Sequence, residues 1–301
     1  MTVRQRKDHA TDTTEERSMD IVDTHCHVIS DDVARYPRAP IGGKQSGWAT
    51  TRPVTADGMA ERMDGAGIGR AVLVQATTAY GYDNSYVLDS TARRPDRFIA
   101  VGTVDPLRPD AADNLEAVTG EGGLSGVRLF TSGSTVPTQG EWFAAPETFP
   151  FWERAGALGV TVCLQMRLGP ATEQLHALLR RFPTVRVLLD HMGYPDIAAS
   201  PADAATEVAK LAVHPGLHLK LTHRNLERLH DAGKEANDFL SPVLTAFGAN
   251  RIAWGSNLPA AEQSLPELVA LARGVLAEVP EPERREIFAG TARRLYPGLG
   301  G

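Results

Sequence analysis

The sequence predicts a single parallel α/β barrel of (β/α)8 type, a TIM barrel, on three observations. Short β-branched, apolar runs alternate eight times with longer segments of helical spacing. The runs are nearly continuous in apolar residues, as in AVLVQ, VTVCLQ and VRVLLD, as strands covered on both faces require. Polar side chains with useful chemistry stand where the runs end, and barrels of this kind assemble their sites at strand C-termini. A doubly wound open sheet is the alternative. It announces itself with a glycine-rich turn after its first strand, and none follows residue 27.

In chain order, the apolar pair Ile21-Val22 runs into Asp23-Thr24-His25-Cys26-His27 and gives the first strand, 20–27. A helix follows at 57–66. RAVLVQ is the second strand, 70–75, with a helix at 84–93 that Asn84 or Ser85 can cap. FIAVGTV is the third, 98–104, with a helix at 111–119, and GVRLF the fourth, 126–130, with a helix at 149–158. VTVCLQM (160–166), VRVLLDH (185–191), LHLKLT (217–222) and RIAWGS (251–256) complete the strands. Helical spacing follows them at 171–181, 203–211, 237–247 and 265–278, and a last helix occupies 281–295. Two connections, 28–56 and 131–148, are long for a compact domain, and such loops are usually functional.

The chain of 301 residues is 42% hydrophobic and 23% charged, which is ordinary globular composition. A barrel accounts for this length as one domain, 19–301, behind a polar tail, 1–18, that is expected to be disordered. A net charge of −6 favours neither nucleic acid nor a membrane surface. No apolar stretch approaches the ~18 residues of a membrane span, and no secretory signal opens the chain, so the cytoplasm is the expected location. Cys26 and Cys163 sit in strand-like runs and read as buried thiols rather than a disulfide.

His25 and His27 alternate along one strand, so both rings face one side about 7 Å apart. They can converge on a metal ion or an anion; two separately satisfied histidines are the bland alternative. The other strand ends carry Gln75, Arg128, Gln165 with Arg167, Asp190-His191, Lys220 with His223 and Arg224, and Ser256-Asn257. Each alone could be a solvated strand end; together they describe one rim. Arg128 stands inside an apolar strand, where an unpaired charge is costly, and is the best candidate to hold a carboxylate. Arg167 and Arg224 are further candidates. Tyr80 and Tyr82 lie in a polar aromatic loop after the second strand and could line a pocket. Lys44 and Trp48 fall in the first long loop, where a lid could form.

The DTHCH opening, the LLDHMG sixth strand, the WGSN-x-P eighth strand and the FAGTARRLYP tail resemble the amidohydrolase-related metal-dependent hydrolases over residues 19–297. More narrowly they resemble the branch holding dicarboxypyrone lactonases, sulfomuconolactone hydrolases and resorcylate-type decarboxylases. The resemblance implies a (β/α)8 barrel that acts on a small carboxylated molecule, and a possible homodimer. It matches His25 and His27 to the family's first-strand pair and His191 to its sixth-strand histidine. Gln165 stands where relatives can carry a histidine.

The eighth strand departs from the family, which has aspartate where this chain has Asn257. That aspartate is the usual metal ligand and base, and an amide cannot take a proton at ordinary pH. Three readings follow. His25, His27 and His191 could hold zinc with an open fourth position, whose water ionises near neutral pH. Hydrolysis could instead run without a metal, as the lactonases of this branch are thought to do, with the histidines and Arg128 polarising an ester carbonyl and a histidine as base. Or the pocket could bind a small anion without turnover. A metal-dependent decarboxylase of an aromatic acid is the alternative enzyme, disfavoured by the missing carboxylate.

Overall fold

The computed structural model describes residues 19–120, 123–169 and 171–300; the expected tail, 1–18, lies outside them. Eight parallel strands run in the order of the chain: β1 Val22–Cys26, β2 Arg70–Val74, β3 Phe98–Thr103, β4 Gly126–Phe130, β5 Thr161–Gln165, β6 Arg186–Leu189, β7 Leu217–Thr222 and β8 Ile252–Gly255. Helices lie between them, and the result is the expected barrel. Every strand coincides with its sequence expectation to within two residues at either end.

The seam between β8 and β1 is closed largely by side chains. Asp23 Oδ1 accepts from the His25 and Ser256 backbone N–H groups at 2.9 Å, and its Oδ2 from Ser256 Oγ at 2.5 Å. Burial pushes the Asp23 carboxyl up, and these hydrogen bonds pull it back. Thr24 Oγ1 donates to Trp254 O at 2.6 Å, and the Asn257 N–H donates to His25 O at 2.6 Å. The strands approach so closely that a Cβ on Gly255 would lie 2.7 Å from His25 Cβ. Only glycine fits there, and the outcome is that the His-x-His pair and Asn257 are held side by side.

Two apolar layers result. One packs the helices on the outer barrel face; the other fills the interior with Val22, Val72, Val101, Cys163, Leu188 and Ala253. The C-terminal segment plugs the N-terminal end of the barrel: Leu295, Tyr296 and Leu299 join the interior layer, and Thr161 Oγ1 donates to Leu295 O at 2.9 Å. The single last helix expected from the sequence is broken into Glu281–Arg285, a π-turn at Glu286–Gly290 and Thr291–Leu295. Several short elements near the site were not anticipated, among them the helix Thr77–Tyr80 after β2. A short helix, Gly47–Thr51, lies in the first long loop, and a helix, His223–Ala232, begins directly where β7 ends. Its cap is reciprocal between Thr222 and Asn225, with asparagine in the place the usual box gives to Glu or Gln. Cys26 and Cys163 are buried and unbridged, as expected. No helix among the described residues is long and apolar enough to cross a membrane.

Candidate active site

Three imidazoles meet at the C-terminal end of the barrel. The His25 ring centroid lies 4.8 Å from that of His27 and 5.2 Å from that of His191, both edge to face. His27 Nδ1 contacts Val74 O at 2.8 Å. A carbonyl only accepts, so His27 carries its proton on Nδ1 and keeps a lone pair on Nε2. Burial, then Arg128, pulls its pKa down to about 3. His191 Nδ1 contacts Thr222 Oγ1 at 2.7 Å, and burial holds this ring well below the usual histidine range.

Beneath the rings lies a buried charge cluster. Asp190 is fully buried and faces two cations: Lys220 Nζ at 2.7 Å from Oδ1 and Arg128 Nε at 2.7 Å from Oδ2. Burial raises the Asp190 pKa, but Lys220 and Arg128 outweigh it and hold the carboxyl well below the ordinary range. Arg128 also donates to Gln165 Oε1, and Gln165 Nε2 donates to Tyr194 Oη at 2.9 Å. Lys220 Nζ is 3.0 Å from His25 Nδ1. An ammonium paired to a carboxylate has no lone pair, so Nδ1 must accept and neutral His25 carries its proton on Nε2. Burial, then the charge on Lys220, keeps His25 neutral.

Above the rings opens a cavity of about 280 Å³. His27, His191 and Asn257 line it, with Arg128, Gln165, Arg167, Tyr194 and Arg224. Among the described residues its wall contains three arginines and no aspartate or glutamate. Arg167 and Arg224 are exposed and form no ion pair among the described residues. Both long loops reach it. Trp48 stacks on His27 at 5.1 Å and 19°, Ser46 Oγ is 2.6 Å from Thr78 Oγ1, and the 131–148 loop supplies Gly133 and Ser134. All four non-glycine residues with left-handed backbone among the described residues belong here: His191, Met192, Tyr194 and Asn257, with φ between 55° and 59°. Such backbone costs about 1–3 kcal/mol per residue and concentrates where function fixes the geometry.

Several expected residues fall elsewhere. His25 lies under the cavity, fully buried, and does not line it. Tyr80 is buried in the short helix Thr77–Tyr80, where its hydroxyl accepts from the Ser30 N–H at 2.7 Å and from Arg38 at 2.6 Å. It braces the first long loop. Tyr82 is exposed and lines a different depression with Asp105 and Arg108. Lys220 is buried against Asp190 rather than presented to a carboxylate from outside. Tyr194 was missed: the run LLDHMGYP contains it, but only the left-handed turn at 191–194 swings it back over Gln165.

The divalent metal implied by the resemblance does not suit this donor set. His25 Nε2 would have to offer a lone pair, and its contact with Lys220 puts a proton there. Asp190 is engaged by two cations, position 257 offers an amide and not a carboxylate, and Arg128 adds positive charge. Among the described residues no three His, Cys, Asp or Glu side chains are placed to hold a metal ion.

Comparison with known proteins agrees with the architecture. The chain is 28% identical over 198 residues to an L-fucono-1,5-lactonase from Burkholderia ambifaria, a match covering 64% of this chain and 66% of that protein. It thus spans slightly less than two thirds of that curated relative. An amidohydrolase from Burkholderia multivorans, solved with bound HEPES, has the same fold, with a TM-score of 0.73 at 22% identity over 92% of this chain and 99% of that one. The same protein has also been solved with bound zinc, with a TM-score of 0.69 at 21% identity over the same shares of the two chains. A putative 2-pyrone-4,6-dicarboxylic acid hydrolase from Pseudomonas putida gives 0.73 at 22% identity, over 93% and 98% of the two chains. The Amidohydrolase family model matches residues 22–298, nearly the whole barrel, and the chain belongs to that family.

Proposed function

We propose that the protein is a hydrolase that opens a lactone or related ester in a small carboxylated molecule, without a resident metal. The observation that carries this is the cavity wall, with three arginines and no carboxylate among the described residues. A confined site of one sign of charge concentrates anions, and guanidinium groups recognise carboxylates by paired hydrogen bonds. Family membership and the lactonase relative support the reaction type.

In this reading Arg167 and Arg224 hold the substrate carboxylate at the mouth. The scissile carbonyl points to Arg128 and the Asn257 amide, which donate to the oxygen as it gains charge. Water attacks the carbonyl carbon and gives its proton to His27 Nε2, the lone pair left by the Val74 contact. The carbon–oxygen bond of the ring then breaks, and the leaving oxygen takes that proton back. His27 is a weak base in the empty cavity because burial and Arg128 depress it. A bound carboxylate offsets that positive field and raises its basicity when it is needed. Asn257 belongs to the same logic, since an aspartate there would face an anionic substrate and a developing oxyanion.

The test compares a carboxylated lactone with the same ring lacking the carboxylate. The acid should be preferred in kcat/KM by about 10- to 100-fold, the worth of charged hydrogen bonds of ~1.5–3 kcal/mol. Equal turnover of the two, or release of carbon dioxide from aromatic acids in place of lactone opening, would overturn the reading. His27→Ala should lower kcat about 10²- to 10⁴-fold, the usual range for a lost general base. Asn257→Asp should keep its backbone, because both residues tolerate left-handed φ. It should raise KM for the carboxylated lactone about tenfold through like-charge repulsion, read from steady-state kinetics; an unchanged KM would remove the amide from the binding argument.

A further inference from the structure

One buried group is left without a use in this chemistry. Lys220 is fully buried, touches no part of the cavity, and gives Asp190 a second cation although Arg128 already pairs with it. A 1:1 pair would be the cheaper arrangement, since each further buried charge carries its own desolvation cost. Lys220 has one other polar neighbour of consequence, His25 Nδ1 at 3.0 Å; Cys163 Sγ lies farther off at 3.5 Å. We propose that Lys220 is a positioning residue that locks His25 as its Nε2–H tautomer and so withholds the His-x-His pair from metal.

The geometry shows what Lys220 prevents. Asp190 Oδ1 is 3.8 Å from His25 Nδ1, with the Lys220 ammonium beside both. Without that ammonium the carboxylate can accept from Nδ1–H. The proton then leaves Nε2, which gains a lone pair directed away from Asp190. A carboxylate bound to one imidazole nitrogen while the other meets a metal is the common second-shell arrangement of metal-ligating histidines, and losing such a partner changes affinity 10- to 100-fold. Lys220 sits in that arrangement as a wedge. Among the described residues His25 Nε2 is buried and has no hydrogen-bond partner, so the contact at Nδ1 is what sets its proton. The same wedge adds a positive charge beneath the rings, which suits an anion and opposes a divalent cation.

Two measurements on the whole protein test this, and neither depends on which substrate is turned over. The first is the ¹⁵N imidazole spectrum of the wild type near neutral pH, with His25 assigned by its absence in His25→Asn. The expected signature is a protonated Nε2 and a bare Nδ1; a protonated Nδ1 overturns the proposal. The second is zinc affinity, by calorimetry with zinc alone, in wild type and Lys220→Met. The variant keeps Arg128 opposite Asp190, so the buried charges still balance. It should show the opposite His25 tautomer and bind zinc at least tenfold more tightly. Equal affinity in the two proteins, or a tight stoichiometric zinc in the wild type, overturns the proposal. If Lys220→Met does not fold, the wild-type spectrum and wild-type zinc affinity decide alone.

Discussion

Asp190→Ala is expected to destabilise the protein by about 3–5 kcal/mol, the usual cost of removing one partner from a buried charge cluster. Asp190 is the single carboxylate facing Lys220 and Arg128, and all three are at most 4% exposed. Its removal leaves two buried cations with no carboxylate in contact among the described residues. The loss is a large share of the ~5–15 kcal/mol by which domains are stable. It should be read as a fall in the urea midpoint at constant slope. Lys220→Met should cost much less, because it leaves one cation opposite one anion. A loss below about 1 kcal/mol for Asp190→Ala would mean that the cluster is hydrated and that its charges do not organise the rings above it.

The barrel was legible because its signal is repetitive. Each strand is buried on both faces, so each reads as an uninterrupted apolar run, and eight such runs with helical spacing between them leave few architectures. Site residues at the ends of those runs, His27, Arg128, Gln165, His191 and Asn257, were legible for the same reason, and all line the cavity. Residues whose role depends on loop geometry were not. Tyr80 and Tyr82 are close in sequence to the second strand end, but one turns inward to brace Ser30 and Arg38 and the other outward to solvent. Tyr194 reaches the cavity only through three consecutive left-handed residues and a fourth at Tyr194 itself, a path that no periodicity announces. His25 shows a subtler limit. Alternation places it on the same face as His27, correctly, but depth along the barrel separates them: one is a wall of the cavity and the other lies below its floor. The pairing of Lys220 with Asp190 joins neighbouring strands at positions whose apolar neighbours conceal that two opposite charges share one space.

Lowering the pH from 7 to 4.5 is expected to unfold the protein, and histidines should drive it. His25, His27, His191 and His223 are all buried and all have depressed pKa values, with burial as the leading cause; for His27 and His223 the values are about 3. The unfolded chain titrates these rings near 6.5. Above that pH they are neutral in both states and stability is complete. Below it the unfolded state takes up protons that the folded state refuses, so stability falls as pH falls and goes on falling toward pH 3. Each ring contributes about 1.4 kcal/mol per pH unit once well below 6.5. Four together remove on the order of 5 kcal/mol per unit, which exhausts an ordinary domain stability within two units. The carboxylates do not offset this. Asp190, held low by its two cations, adds to the loss only below its unfolded value near 3.8, whereas Asp23, pushed up by burial, acts in the opposite sense but is one group. The check is a series of urea midpoints between pH 7.5 and 5, with His223→Gln alongside to remove one titrating ring outside the cavity wall. The variant's slope against pH should be shallower by up to ~1.4 kcal/mol per unit. A wild-type stability flat from pH 7 to 5 would mean that the rings take up protons in the fold as readily as in the unfolded chain. It would also remove the depressed basicity of His27 that the proposed substrate carboxylate is argued to offset.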